Sequence, residues 1–219
     1  MRRNIFLGVA NKTISGYFYA QILKLWRLIL MNNELFELNG VKEVAETLMK
    51  CLETERLNLL PLQAHSLSLS LVDYSKMQME LGLKVNKAIL DDEEMQYAMK
   101  VRLTKVLENI DNYLWFTNWA IVLKEEKLII GYIILKGLPN ELGEVIVGYD
   151  IDEKYRRKGY AKEALGKMLQ WIFTNPRALS VIADTEKTNI PSCKLLEHIG
   201  AVPYKETDEL IWWKINKHK

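Results

Sequence analysis

The sequence predicts an α/β fold in which a mixed central sheet is flanked by helices. Residues 117–135 contain two apolar strands joined by a charged KEEK turn, which is typical of an antiparallel hairpin. Residues 144–184 follow a strand–helix–strand order, which predicts a right-handed parallel crossover. Because one segment predicts antiparallel neighbours and the other predicts parallel ones, the sheet is expected to be mixed.

Helices and one strand are predicted before the hairpin. Residues 41–52 place their apolar side chains on one helical face, and TERLNLLPL at 54–62 is typical of a strand that is stopped by Pro61. Residues 63–83 are predicted to be helical. Residues 91–110 form a clearer amphipathic helix, because its acidic beginning suits the positive end of the helix dipole.

The second half of the chain continues as a regular alternation of short elements. Apolar residues recur at spacings of three and four after residue 158, and an Asn-Pro pair ends that pattern. A later short helix lies between a proline that suits its first turn and a glycine that suits its end. The predicted elements are strand 144–151, helix 158–174, strand 178–184, helix 192–200, and strands 201–206 and 210–216.

The first thirty residues are basic and apolar without forming a membrane span. Gln21, Lys24 and Arg27 interrupt the apolar run at 17–30, which is shorter than the ~20 residues that a spanning helix needs. Their spacing of three predicts a narrow polar stripe on an otherwise apolar helix that packs on the protein or on a partner subunit. A helix lying on a membrane surface and a native start at Met31 are the alternatives.

Length and composition predict one domain with an appendage. The 219 residues are 49% hydrophobic, which is enough for one packed core. We expect an N-terminal helical extension at residues 1–52 and one domain at 53–219. A homodimer is compatible with an extension that packs on a second subunit.

The charged and metal-ligating residues exclude several classes of function. A balance of 30 basic against 28 acidic residues argues against a dedicated nucleic-acid binder. The two cysteines and three histidines have no metal-ligand spacing, so no metal is expected. Two isolated cysteines also fit a reduced, cytoplasmic protein.

The segment EKYRRKGYAKEAL at 153–165 is the strongest candidate for a binding site. It gathers three cations where a helix begins, although the positive end of the helix dipole disfavours cations there. A loop from a strand into a helix directs several unpaired N–H groups at one point. Gly159 lets the backbone approach a ligand closely, because glycine has no Cβ. The segment therefore predicts a phosphate or pyrophosphate site, although it matches neither G-x-x-x-x-G-K-[ST] nor G-x-G-x-x-G.

Three segments together resemble the GNAT superfamily of acetyl-CoA-dependent N-acetyltransferases. The hexapeptide RRKGYA at 156–161 matches the family signature [RQ]-x-x-G-x-[GA], and the preceding GYDIDEKY is similar to its fourth strand and turn. NIPS at 189–192, followed by KLLEHIGA, resembles the family's N-x-x-S helix. TERL at 54–57 resembles the opening strand of the RimJ/RimL-like branch. The resemblance covers residues 53–216.

The resemblance implies how the cosubstrate is bound. In this family the fourth and fifth strands splay apart, and the pantetheine arm of acetyl-CoA lies in the gap like an added strand. Backbone groups of the fourth strand would meet the arm, the loop amides would hold the pyrophosphate, and Asn189 would bond the pantetheine. The residues implied in cofactor binding are Tyr149, Asp150, Ile151, Arg156, Arg157, Lys158, Gly159, Tyr160, Ala161, Asn189 and Ser192.

The implied reaction is acetyl transfer to a primary amine, either a protein N-terminal α-amine or a small-molecule amine. The amine would attack the thioester directly in a ternary complex, which requires a base, an oxyanion donor and an acid for the thiolate. The N–H of Ile151 is the expected oxyanion donor. Many family members use a tyrosine as the acid, but Leu196 occupies that position here. The RimJ/RimL-like branch resembles this chain in this respect, which makes Ser192 the candidate acid.

The general base is less specified by the sequence. Glu144 opens the fourth strand, where the family often has a carboxylate, and it is the first candidate. Glu141, Asp150 and a chain of waters are the alternatives.

Two other functions compete with catalysis. One is a non-catalytic acetyl-CoA-binding regulatory module, since the usual tyrosine is missing. The other is a phosphate-binding domain outside the superfamily. Binding of ATP separates the latter from a GNAT domain, which is expected to ignore ATP.

Overall fold

An eight-stranded mixed sheet forms the centre of the protein in a computed structural model that describes residues 50–86 and 93–217. The order across the sheet is β1-β2-β3-β4-β5-β6-β8-β7. The strands are β1 Leu52–Glu53, β2 Leu57–Pro61, β3 Asn118–Leu123, β4 Leu128–Leu135, β5 Glu144–Ile151, β6 Ser180–Glu186, β7 Val202–Glu206 and β8 Leu210–Asn216. The helices are α1 Ala64–Val72, α2 Tyr74–Glu80, α3 Glu93–Glu108, α4 Tyr160–Ile172 and α5 Ile190–His198, with 3₁₀ turns at Ile110–Trp115 and Glu153–Tyr155.

The predicted mixed α/β architecture is confirmed. Strands β3 and β4 form the expected antiparallel hairpin. Strands β5 and β6 are parallel and are connected through α4, as the strand–helix–strand order predicts. The spacing of apolar residues identified these elements, because each element buries one or both of its faces against the core.

Two predicted helices differ from the structure. The helix expected over 63–83 is divided at Asp73, whose side chain accepts a hydrogen bond from the Lys76 amide at 2.8 Å and so begins α2. The prediction of a helix over 41–52 is wrong at its C-terminal end, because Leu52 belongs to a strand and pairs with Leu59. The rest of that helix and of the extension predicted at 1–52 lies outside the described residues.

The two faces of the sheet carry separate hydrophobic cores. On one face α4 and α5 pack through residues such as Leu165 and Leu196, together with Val147 of β5. On the other face α1, α2 and α3 pack against β2, β3 and β4, and Met99 and Tyr132 are among the buried residues. The end of the sheet that holds β5, β6 and β8 therefore keeps one face free of the α1–α3 core.

Strands β4 and β5 approach each other closely at Gly131. A Cβ at this position would overlap the carbonyl oxygen of Asp150 and lie 3.0 Å from the Cα of Ile151. Glycine is therefore required for the spacing of this strand pair.

The family's fourth and fifth strands correspond to β5 and β6 in this protein. These two strands separate, as the family resemblance predicts. The ladder joins these strands at three positions, from Glu144 opposite Ser180 to Ile146 opposite Ile182. Beyond Ile146, β5 stays paired with β4 and separates from β6. The separation opens a cleft in the middle of the sheet.

Candidate active site

The cleft between β5 and β6 has a volume of about 360 Å³. One wall is the end of β5, the opposite wall is the end of β6, and the first turn of α5 lies beside them. Its lining residues are Lys136, Val147, Gly148, Tyr149, Asp184, Thr185, Glu186, Asn189, Ser192 and Leu210.

The pairing of β4 with β5 determines which backbone groups face the cleft. The Lys136 N–H donates to the carbonyl oxygen of Ile146 at 3.0 Å, and the same register places Tyr132 opposite Asp150. In an antiparallel ladder, alternate residues direct their N–H and C=O groups to the same neighbour. The backbone groups of Asp150 therefore face β4.

The backbone groups of Tyr149 and Ile151 face the opposite way, toward the cleft. In agreement with this orientation, the Ile151 carbonyl accepts a hydrogen bond from Arg156 Nε at 2.7 Å, and Arg156 Nη2 lies 3.2 Å from Asp150 Oδ1. Of the three strand residues predicted to meet a pantetheine arm, Tyr149 and Ile151 have the suitable backbone orientation. The side chain of Asp150 instead forms an exposed ion pair with Arg156.

The loop before α4 has the backbone geometry of a phosphate site. Gly159 is the N-cap of α4 at φ +81°, and Arg157 has φ +63°. The first N–H groups of a helix have no acceptor within the helix, so those from Tyr160 onward are available to an anion. The side chains of Arg157 and Lys158 are exposed at the loop.

Arg56 supports this loop, and our sequence reasoning missed it. Its Nη1 donates to the Lys158 carbonyl at 3.0 Å, and its guanidinium lies 4.6 Å from the centre of the Tyr160 ring. Its Nε forms an ion pair with Glu163 Oε2 at 2.7 Å. The only sequence signal was an arginine inside the TERL segment, which the pattern assigned to a strand.

Ser192 and Tyr149 meet at the cleft through their hydroxyl groups. Ser192 Oγ and Tyr149 Oη are 2.5 Å apart, and both residues line the cleft. Burial raises the pKa of the Tyr149 phenol, and the hydrogen bond with Ser192 partly offsets that effect. Our sequence reasoning used only the backbone of Tyr149, because nothing local in the sequence brings two residues so far apart together.

Asn189 caps the helix that carries Ser192. Its Oδ1 accepts the Ser192 N–H at 3.2 Å, which leaves the amide nitrogen of Asn189 to donate to a ligand. Leu196, which the family resemblance placed at the position of a catalytic tyrosine, is buried in the core that includes α4.

The three candidate bases lie in different surroundings. Glu144 accepts hydrogen bonds from Lys214 Nζ at 2.8 Å and Asn140 Nδ2 at 3.2 Å, and these bonds lower the pKa of its carboxyl group. Glu144 lies at the paired end of β5, about 13 Å along the strand from Gly148. Glu141 is exposed in the turn before β5. None of the three candidates lines the cleft.

The carboxylates that do line the cleft are Asp184 and Glu186 of β6, and our sequence reasoning missed both. Both side chains are exposed, and Asp184 Oδ1 lies 3.7 Å from Lys136 Nζ across the cleft. Strand alternation places them on the face of the sheet opposite to α5.

Two other kinds of site are not formed by the part of the chain that the structure describes. Within residues 50–86 and 93–217, no group of three or more His, Cys, Asp or Glu side chains could hold a metal ion, and no helix is long and apolar enough to cross a membrane. Cys51 and Cys193 are free thiols. Burial raises the pKa of Cys51 to about 12, which makes it a poor nucleophile.

Comparison with known protein families shows which family the chain belongs to. The family model described as an acetyltransferase (GNAT) domain matches residues 56–202, which include the loop before α4 and the first turn of α5. The chain belongs to the GNAT acetyltransferase family. The GNAT domain identifies the protein as an acetyl-CoA-dependent acetyltransferase and confirms the family resemblance found in the sequence.

Similar proteins agree with this family membership. The chain is 28% identical over 170 residues to the uncharacterized N-acetyltransferase YjdG of Bacillus subtilis, a match that covers 75% of this chain and 97% of YjdG. It is 32% identical over 82 residues to the uncharacterized N-acetyltransferase p20 of Bacillus licheniformis, covering 37% and 46% of the two chains.

Solved structures share the GNAT fold with this protein. The ribosomal-protein-S5-alanine acetyltransferase of Vibrio fischeri has a TM-score of 0.57 at 19% identity, covering 76% of this chain and 96% of that chain. RimL, a ribosomal L7/L12 α-N-protein acetyltransferase, in complex with coenzyme A has a TM-score of 0.55 at 9% identity, covering 76% and 98%.

Proposed function

We propose that this GNAT protein transfers the acetyl group of acetyl-CoA to a primary amine by direct attack within a ternary complex. The observation that carries the proposal is the cleft between β5 and β6, which has an unpaired strand edge on one side and the Ser192 hydroxyl on the other. The extended pantetheine arm can pair with the strand edge. The leaving thiolate can take a proton from the Ser192 hydroxyl.

In this proposal the cosubstrate spans from the loop before α4 to the cleft. The amides that follow Arg157 hold the pyrophosphate, and the exposed cations attract its charge. The backbone of Tyr149 and the amide nitrogen of Asn189 bond the pantetheine arm. The N–H of Ile151 is aimed at the open side of β5, and it is the donor that we assign to the developing oxyanion.

The amine acceptor enters from the opposite face of the sheet, where Asp184 and Glu186 are exposed. Their carboxylates attract an ammonium group and place a proton acceptor beside the thioester. We therefore add Asp184 as a candidate base. Glu144 stays a prediction, and its position outside the cleft argues against it.

Supporting the amine proposal, the solved structures that share this fold include a ribosomal-protein-S5-alanine acetyltransferase and a ribosomal L7/L12 α-N-protein acetyltransferase. A protein α-amine and a small amine fit the same chemistry, so both classes belong in the acceptor panel. Homodimerisation and a cytoplasmic location stay predictions.

Calorimetric titration with acetyl-CoA, coenzyme A and ATP tests the cofactor half of the proposal. We expect micromolar binding of both CoA species and no binding of ATP. Gly159→Trp should abolish CoA binding by filling the phosphate loop. Gly200→Trp is the matched control, because Gly200 also has a positive φ of +84° but has open space around it.

Turnover is then measured as release of free CoA thiol with peptides bearing different N-terminal residues and with small amines. Circular dichroism establishes that each variant is folded. If no CoA species binds to the folded wild-type protein, the proposal fails. CoA binding without acetylation of any amine class would favour the regulatory alternative.

A further inference from the structure

We propose that the Tyr149 side chain supplies the proton that Ser192 passes to the departing CoA thiolate. This inference rests on the proposed function and deepens it, because it assigns a residue to the acid step. The phenol comes from strand β5 and not from the last helix of the domain.

The geometry brings two hydroxyl groups together at the cleft. The 2.5 Å separation of Tyr149 Oη and Ser192 Oγ lies within hydrogen-bond range for two oxygens. The two residues are 43 positions apart in the chain, and they approach each other from β5 and from the first turn of α5. A proton can therefore move between the residues without a bridging water.

The acidities of the groups favour a relay over serine acting alone. An aliphatic hydroxyl is a far weaker acid than a phenol, and an ordinary phenol near 10 is much closer to a thiol near 8.5. Burial raises the pKa of the Tyr149 phenol, but Tyr149 remains a stronger acid than serine. Proton transfer is efficient when donor and acceptor acidities are close. Tyr149 therefore gives Ser192 an acidity that the serine lacks.

The acceptor nitrogen forms a bond to the thioester carbonyl carbon, and the tetrahedral intermediate collapses with breakage of the C–S bond. The sulfur takes the Ser192 proton while Ser192 takes the Tyr149 proton. The attacking amine gives its proton to Asp184, the candidate base, which releases it to solvent, and the tyrosinate regains a proton from solvent.

The surroundings of Tyr149 suit this role. Its ring is half-buried among the residues that pack against α4 and α5, and this fixes the hydroxyl. The charged and titratable groups nearby are the Cys193 thiol and the cleft residues Lys136, Asp184 and Glu186. Leu196 fills the usual tyrosine position with an apolar side chain buried in the core, so it offers no proton there.

The test uses coenzyme A itself and needs no knowledge of the acceptor. Coenzyme A labelled with ¹³C next to the sulfur is bound to excess protein, and the thiol pKa is followed by NMR across a pH series. A hydroxyl donor stabilises the thiolate, so the thiol pKa should be about one unit higher in Tyr149→Phe and in Ser192→Ala than in the wild type. Tyr155→Phe is the control, because the Tyr155 hydroxyl bonds Glu126 outside the cleft.

Each other outcome overturns the inference in a distinguishable way. If CoA does not bind to the wild-type protein, the proposed function fails together with this inference. If CoA binds and Tyr149→Phe leaves the thiol pKa unchanged, the relay is wrong while the proposed function stands. A shift in Ser192→Ala alone would assign the acid step to serine without Tyr149.

Discussion

Arg56 Nε lies 2.7 Å from Glu163 Oε2, and this ion pair joins the start of β2 to the first turn of α4. Arg56 also bonds the Lys158 carbonyl, so a residue more than a hundred positions away in sequence holds the loop that precedes the helix. The acidic partner lies in the first turn of α4, where the helix dipole favours negative charge.

Arg56→Ala is expected to weaken CoA binding by about tenfold, because hydrogen bonds to a charged group that order the loop are lost. Calorimetry measures the change. Lys105→Ala removes an exposed ion pair on α3 and should leave CoA affinity unchanged. Equal affinities of Arg56→Ala and the wild type would show that the loop holds its shape without Arg56.

Glu163 should make the stability of the protein depend on acid pH. Burial opposes ionisation of this carboxyl, but hydrogen bonds from Thr54 and Arg56 outweigh that effect and lower its pKa below the ordinary 4.5. Because the folded-state pKa is lowered, the stabilisation is present above pH 4.5 and is lost as pH falls through the folded value.

Urea denaturation at a series of pH values measures this contribution. Glu163→Gln should lose about 1–2 kcal/mol at pH 7 and should differ less from the wild type in acid. A difference that stays constant from neutral to acid pH would contradict the assignment to ionised Glu163.

Two glycine substitutions should have opposite effects on stability. Gly131→Ala should destabilise the protein by about 1–3 kcal/mol, because the new Cβ overlaps the Asp150 carbonyl and forces β4 away from β5. Gly166→Ala should stabilise it by up to about 1 kcal/mol, because Gly166 lies inside α4 with open space around it. Thermal and urea unfolding measure the stability of both variants. A stabilising Gly131→Ala would show that β4 and β5 can move apart without loss of stability.

Asp184→Asn should lower the acetylation rate by about a hundredfold or more if Asp184 is the general base, with CoA affinity preserved. The assay uses the best amine from the acceptor panel, and Asp208→Asn, in the turn between β7 and β8, is the surface control. Loss of activity in Glu144→Gln with a fully active Asp184→Asn would return the role to Glu144.

Local sequence patterns predicted the order of elements well, because each segment from β3 to β8 carries its own apolar periodicity. They failed where a single polar side chain decides the local structure. Asp73 divides the helix predicted over 63–83 by capping α2, and a window of apolar spacing does not detect such a cap.

The loop and the Ser192 turn were found from the sequence because their chemistry is local, with glycine, cations and a capping asparagine in short segments. Arg56 and the Tyr149 hydroxyl were missed because their partners lie 107 and 43 positions away along the chain. Asp184 was missed for a related reason, since only the separation of β5 from β6 turns a strand carboxylate into a cleft residue.

The separation of β5 from β6 gives the free protein an exposed strand edge inside its sheet and not only at the two ends. Amides on such an edge exchange readily with deuterated solvent unless a ligand covers them. The N–H of Tyr149 should therefore become protected when CoA binds and that of Ile151 when acetyl-CoA binds, and the melting temperature should rise with the concentration of either. In the proposed complex the cosubstrate completes the sheet, so a higher concentration of CoA is expected to lengthen the lifetime of the folded enzyme.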